Sequence, residues 1–284
     1  MSLISEKTTH YPYAQTNIQL FNQLRDEGYA TNDLVCVYKA YELARCLLTG
    51  LYFACGKSSL AHVVGTASIL GRLNLPIEVV AAGLLHNIYR DGDFGYGSKN
   101  RMSATKRDQV RCVVGDTVEE YIPKYLATRW NLKSLLTIQD CLDNHEIIMR
   151  HVILMKLANE LEHHLDLDIL YFPDAQKRCQ RINNIGPVMV DIAKNLGYLT
   201  LGEELIIAFE RVALAEIPME LCGPKELKRV FVSAPQSYRK RLLLPFRQKL
   251  DHEGHRWRRR LGKILRPMAI DQRRAKKDPS LTRI

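Results

Sequence analysis

The stretch Ile77-Glu78-Val79-Val80-Ala81-Ala82-Gly83-Leu84-Leu85-His86-Asn87-Ile88-Tyr89-Arg90-Asp91 decides how this chain folds. It is apolar on nearly every side from Ile77 to Arg90, which is the pattern of a helix at the centre of a bundle rather than on its surface. Its longest unbroken apolar-plus-glycine run, Val79 to Leu85, falls short of the roughly 20 residues that cross a bilayer. The His86-Asn87 pair brings two polar groups to the edge of that core. Buried polar groups must find partners, and a metal ion or a tight hydrogen-bond cluster is the usual answer.

Helices are expected on both sides of this stretch. Asn74-Leu75-Pro76 makes a tight connection, with Pro76 at a first helical turn. Before it, Ser59 is a candidate cap for a helix holding Leu60, Val63, Val64, Ala67, Leu70 and Leu73, and Phe53 to Ser59 with Gly56 is a break. Asp33 is the expected cap of an earlier helix carrying Leu34, Val37, Tyr38, Tyr41, Ala44, Leu47 and Leu48. Ile18, Phe21 and Leu24 share one face of a short first helix. After Asp91 the segment DGDFGYGSKN reads as a glycine-rich loop. Thr117 and Glu120 form a capping box for a short helix that should stop near Pro123. Residues 145–166 read as one long helix with Ile148, Val152, Met155, Asn159 and Glu162 along one line, and further helices occupy about 174–217. No segment alternates with period two, so the expected class is all-α.

Of 284 residues, 46% are apolar and 25% charged, an ordinary globular balance. The net charge of +10 is unevenly spread: residues 225–284 carry +14 and residues 1–224 carry −4. Pro218, Gly223-Pro224 and Pro235 mark the change, so the expected organisation is a helical domain over 1–224 and a basic extension over 225–284, disordered after about residue 269. Within that extension Trp257, Leu261, Ile264, Leu265 and Met268 recur at helical spacing among arginines. A basic amphipathic stretch of this kind suits an anionic membrane surface, with nucleic acid as the second candidate partner and docking on the body as the third. Seven scattered cysteines without a CxxC pair read as reduced, mostly buried thiols. With no apolar core in the first 20 residues, the expected location is cytoplasmic, with peripheral membrane contact open.

Three segments combine polar side chains with apolar helices: Gly56-Lys57-Ser58-Ser59-Leu60-Ala61-His62, the Gly83 to Asp91 stretch, and Val152-Ile153-Leu154-Met155-Lys156-Leu157-Ala158-Asn159-Glu160. His62 and His86 are separated by a helix, a short turn and a second helix, so both side chains can enter one antiparallel groove. His10, His145, His151, His163, His164, His252 and His255 lack such surroundings and read as structural.

In order and spacing these segments resemble the HD-domain phosphohydrolase superfamily, most closely its alarmone-hydrolase branch. The likeness covers roughly residues 53–166 and also extends to uncharacterised HD-like proteins. It implies an HD-like helical bundle. It also implies a divalent metal, Mn²⁺ or similar, held by His62, His86, Asn87 and Asn159, with Asp91, which matches the second member of the family's acidic pair, as the catalytic residue. Three positions depart from the family pattern: Asn87 and Asn159 stand where it has Asp, and Arg90 where it has an acid. Two carboxylates replaced by amides take the ligand charge from −2 to 0, so metal binding should be weak. Lys57 and Arg90 are the expected contacts to a phosphate-bearing small molecule. The resemblance thus leaves a degenerate site with weak or no catalysis, an active phosphohydrolase of a nucleotide or other phosphoester, and a non-enzymatic scaffold or ligand-binding protein held at a membrane by its tail.

Overall fold

A computed structural model describes residues 13–95 and 102–222. The described chain runs α1 (Asn17–Asp26), α2 (Thr31–Leu48), α3 (Ser59–Arg72), α4 (Ile77–Leu85), α5 (Ile88–Asp91), α6 (Ala104–Val114), α7 (Asp116–Ala127), α8 (Leu132–Asp140), α9 (Ile147–Leu165), α10 (Ala175–Asn195) and α11 (Leu199–Leu214). The fold is all-α. Among the described residues no strand forms, and Tyr52 and Ser58 make a single antiparallel bridge. No described helix is long and apolar enough to cross a membrane. The basic extension and its boundary at residue 224 lie outside the described residues, as does the second half of the glycine-rich loop, residues 96–100.

Two helices form the centre. In α3 every residue from His62 to Gly71 is buried, and in α4 every residue from Val79 to Leu85. α3 packs on α4 and α9, α2 covers α4, and α10 pairs with α11. Leu70, Leu84, Leu85, Ile153 and Leu154 meet in this core without exposure. Each such side chain contributes on the order of 1.5–3 kcal/mol by leaving water. Gly83 lets α3 and α4 come this close: a Cβ there would lie 2.6 Å from Leu70 Cδ1 and 3.5 Å from Ala67 Cα.

Several local expectations are corrected. The helix expected to run from Ile77 to Arg90 ends at Leu85, and a short turn restarts at Ile88. His86 Nδ1 donates to Gly83 O at 2.7 Å, so a side chain competes with the backbone where the helix breaks. Ser58, not Ser59, caps α3, its hydroxyl accepting from Ala61 N at 3.1 Å. α2 starts at Thr31, and Asp33 reaches back to accept from Ala30 N at 3.0 Å. α7 continues through Pro123, because Ile122 and Tyr125 are buried on either side and their packing outweighs the lost hydrogen bond. Its start is set by Gly115 at φ +86°, a conformation that favours glycine, rather than by Thr117. Ile18 and Tyr38 face solvent. The cysteines are free but not buried: Cys46, Cys112 and Cys141 are exposed and the other four intermediate.

Candidate functional site

The candidate site is assembled by four pieces of chain. Tyr52 to Ser58 is a tight reversal in which Gly56 takes φ +91° and Lys57 O accepts from Phe53 N at 2.9 Å. The reversal turns Lys57 inward and presents Ser58 to cap α3. α3 carries His62, the α4–α5 break carries His86 and Asn87, and α9 carries Asn159, Glu160, Glu162, His163 and His164.

Three of the four expected ligands come together. His62 Nε2 lies 3.3 Å from His86 Nε2 and 3.1 Å from Asn159 Oδ1. Both imidazoles are wholly buried. Burial holds their pKa values well below the ordinary histidine value, His62 also through His163 and His86 also through His62. Asn87 is 4% exposed, and its Oδ1 is buried without a hydrogen-bond partner. His62 Nδ1 donates to Glu162 Oε2, and His86 Nδ1 donates to Gly83 O. With Glu162 ionised and each ring's N–H used in this way, both Nε2 atoms carry lone pairs.

The expected substrate contacts separate. Arg90 and Asp91 line a cavity of about 630 Å³ beside this cluster, joined to each other at 2.9 Å. Asn87 and Asn159 line it as well. Lys57 does not line it. Its ammonium is folded behind His62, 2.5 Å from Glu162 Oε1, 2.8 Å from Asp166 Oδ2 and 3.4 Å from Asp168 Oδ2. Burial pulls Lys57 down, but these three carboxylates outweigh it and hold the ammonium above its ordinary pKa. Burial lifts Glu162 above the usual carboxylate range, against the pull of Lys57 and His163. Asp168 is held down at about 2 by His163 and Lys57 in spite of its burial.

His62, Glu162 and His163 also stand close enough to be a chelating trio. Their geometry argues for an ion-pair relay instead. The His62 and His163 rings stack at 4.3 Å with a 24° tilt, so their in-plane nitrogens do not converge as ligands of one ion do. His163 Nδ1 already donates to Asp168, and the Lys57 ammonium already lies against Glu162.

The cavity wall is rich in cations. Arg181 pairs with Glu160 at 2.9 Å and Arg178 with Asp174 at 2.7 Å. Lys156 and Lys177 form no ion pair among the described residues. Lys156 Nζ sits 3.8 Å above the Tyr125 ring, and burial followed by repulsion from Arg90 lowers its pKa to about 8. Trp130 Nε1 and His164 Nε2 are buried without hydrogen-bond partners, and both residues line the cavity. His163 and His164, read from sequence as structural, are therefore cavity residues. Their signal was their place in α9, four and five positions after Asn159. The Arg181 contribution from α10 left no motif.

The sequence pattern of a domain of unknown function (DUF6817) matches residues 52–129. The match takes in His62, His86, Asn87, Arg90 and Asp91 and stops before α9. No curated protein matches. Among solved structures, a protein described as a metazoan ortholog of SpoT that hydrolyses ppGpp and plays a role in starvation responses is 16% identical, with 66% of this chain and 98% of that chain covered and a TM-score of 0.41. A likeness of that size leaves the reading of the site to its own residues.

Proposed function

We propose that this chain is an HD-like protein, related to metal-dependent phosphohydrolases, whose cavity takes a phosphate-bearing small molecule beside a weakly held divalent cation. One observation carries the reading. His86 Nε2 and Asn159 Oδ1 lie 3.3 and 3.1 Å from His62 Nε2, and the buried Oδ1 of Asn87 has no hydrogen-bond partner. With both rings protonated at Nδ1, the facing atoms are all acceptors, and such a donor set fits a cation. Turning the Asn159 amide round would give His62 a donor but leave the His86 lone pair and Asn87 Oδ1 without one.

His62, His86, Asn159 and Asn87 would hold the ion, and a bound ion of this kind supplies a polarised phosphoryl oxygen and a more acidic water. The donors are neutral, so binding is weak and hydrolysis slow or absent. Around them the cavity offers Lys156 and Lys177 as cations not already paired, and Arg90 at the mouth. That excess of positive charge supports an anion, and phosphate is the anion that two or three such groups bind together.

Calorimetry with Mn²⁺ and with simple phosphate monoesters tests this. Mn²⁺ should bind weakly and be lost in His86→Ala, while Lys156→Met should weaken the ester and spare Mn²⁺. A native protein that takes up neither would defeat the reading.

A further inference from the structure

We propose that Glu162 is the positioning residue of this cation site: it fixes the tautomer of His62 and returns, from behind the imidazole, part of the negative charge that Asn87 and Asn159 lack. The inference rests on the proposed cation at His62 and His86, and it adds a residue outside that ligand set.

The argument begins with protons. A neutral imidazole has one N–H, and its placement decides which nitrogen can ligate. His62 is wholly buried, so its N–H must go to an acceptor inside the protein. Two acceptors compete for it, Asn159 Oδ1 at Nε2 and Glu162 Oε2 at Nδ1, and an ionised Glu162 is the stronger. The Lys57 ammonium, 2.5 Å from the other carboxylate oxygen, favours the ionised, accepting form of Glu162 against the burial that raises its pKa. Nε2 is thereby left bare on the side of His86 and Asn159. A carboxylate behind a ligating imidazole also raises its basicity, and loss of such a partner typically costs 10–100-fold in metal affinity.

The backbone makes room for this contact. Gly65 lies one turn after His62 on α3, and a Cβ there would stand 2.8 Å from both Cγ and Oε1 of Glu162. Any other residue at position 65 would crowd Glu162, so that the side chain or the helix that carries it would have to shift. Lys57 is held in turn by Asp166 and Asp168, and His163 by Asp168. With all three carboxylates ionised against Lys57 and a protonated His163, this layer carries one net negative charge on the side of His62 opposite the bare nitrogen. The second layer thus supplies charge where the ligands do not.

Two measurements on the full chain test the proposal. Long-range ¹H–¹⁵N NMR at pH 8, with the His62 signals assigned by their loss in His62→Gln, reads the tautomer without metal. Native His62 should carry its proton on Nδ1, and in Glu162→Gln a share should move to Nε2. Mn²⁺ titration followed by electron paramagnetic resonance should show a 10–100-fold weaker site in Glu162→Gln. A native His62 protonated on Nε2 overturns the proposal whatever the metal does. Equal Mn²⁺ affinity in native and Glu162→Gln overturns it as well. The expected tautomer in a native chain that takes up no Mn²⁺ supports Glu162 as the anchor of His62 and defeats the cation reading alone.

Discussion

Gly65 faces Glu162 so closely that the smallest side chain would collide with it, at 2.8 Å from both Cγ and Oε1. Real Cβ contacts do not come that near, so one of the two must move. Glu162 has little freedom, since it is 1% exposed and tied to both Lys57 and His62.

Gly65→Ala should therefore behave as an overpacked core position. A loss of about 1–3 kcal/mol is expected, read as a lower denaturant midpoint with an unchanged slope. The same variant should weaken Mn²⁺ in the direction of Glu162→Gln. Alanine at 65 with native stability would show that α3 and α9 can separate at little cost.

Lys156 gives a pH signature. Its pKa of about 8 lies well below the ordinary lysine value of 10.5 because the folded cavity buries it and places Arg90 beside it. Binding of a phosphate ester should weaken as pH rises through about 8. For stability the sign is opposite to that of a paired lysine. Between about 8 and 10.5 the unfolded chain holds a proton that folded Lys156 has released, so this group makes the protein more stable as pH rises through that window. The difference in unfolding free energy between native and Lys156→Met isolates it from the other titrating groups. A difference flat with pH would show that Lys156 is solvated like a surface lysine.

What the sequence made legible follows from local chemistry. The apolar run Val79 to Leu85 and the His86-Asn87 pair announced a central helix ending in polar groups, and both are there. His62, His86 and Asn159 were readable because their order and spacing along the chain resemble the HD-domain pattern. Lys57 was placed by sequence at the phosphate because a lone lysine near a glycine turn carries no sign of its partners. Those partners, Glu162, Asp166 and Asp168, lie more than 100 residues further along the chain and only folding brings them back. Glu162 was visible on the line of Asn159 along α9, but its role depends on the missing side chain at Gly65 in another helix. The break at Leu85 was hidden for a related reason, since it turns on a hydrogen bond from the His86 ring to Gly83 O.

The extension over 225–284 lies outside the described residues, and its charge is a property of sequence alone. With +14 there against −4 in the rest, we propose that the extension governs attachment to anionic surfaces. Each Lys or Arg near an anionic leaflet contributes about 1 kcal/mol. Full-length protein should sediment with phosphatidylserine vesicles at low salt and less at high salt, with a residual part from the Trp257 side. Reversing Arg256, Arg258, Arg259 and Arg260 to Glu should abolish it. Binding to RNA or DNA without binding to vesicles would make the extension a nucleic-acid arm.

The strongest test of the proposed weak cation site is to add ligand charge to it. Asn87→Asp with Asn159→Asp puts two carboxylates back among His62 and His86. At about 4 Å and an effective dielectric near 20, one pair of unit charges is worth about 4 kcal/mol, and a divalent ion feels more. Part of this gain is lost again, because Asn87 is 4% exposed and a carboxylate there must be desolvated. The net expectation is tighter Mn²⁺ binding by orders of magnitude. The metal-free variant should also melt below the native protein, since two neighbouring acids, the one at position 87 buried, then lack a counter-charge. Added Mn²⁺ should raise its melting temperature more than that of the native chain, because stabilisation grows with ligand concentration over Kd. Calorimetric titration and thermal melts with and without chelator measure both effects. If the native chain already binds Mn²⁺ as tightly as the variant, the outer layer of Glu162, Asp166 and Asp168 has replaced the missing ligand charge in full, and the site is not a weak one.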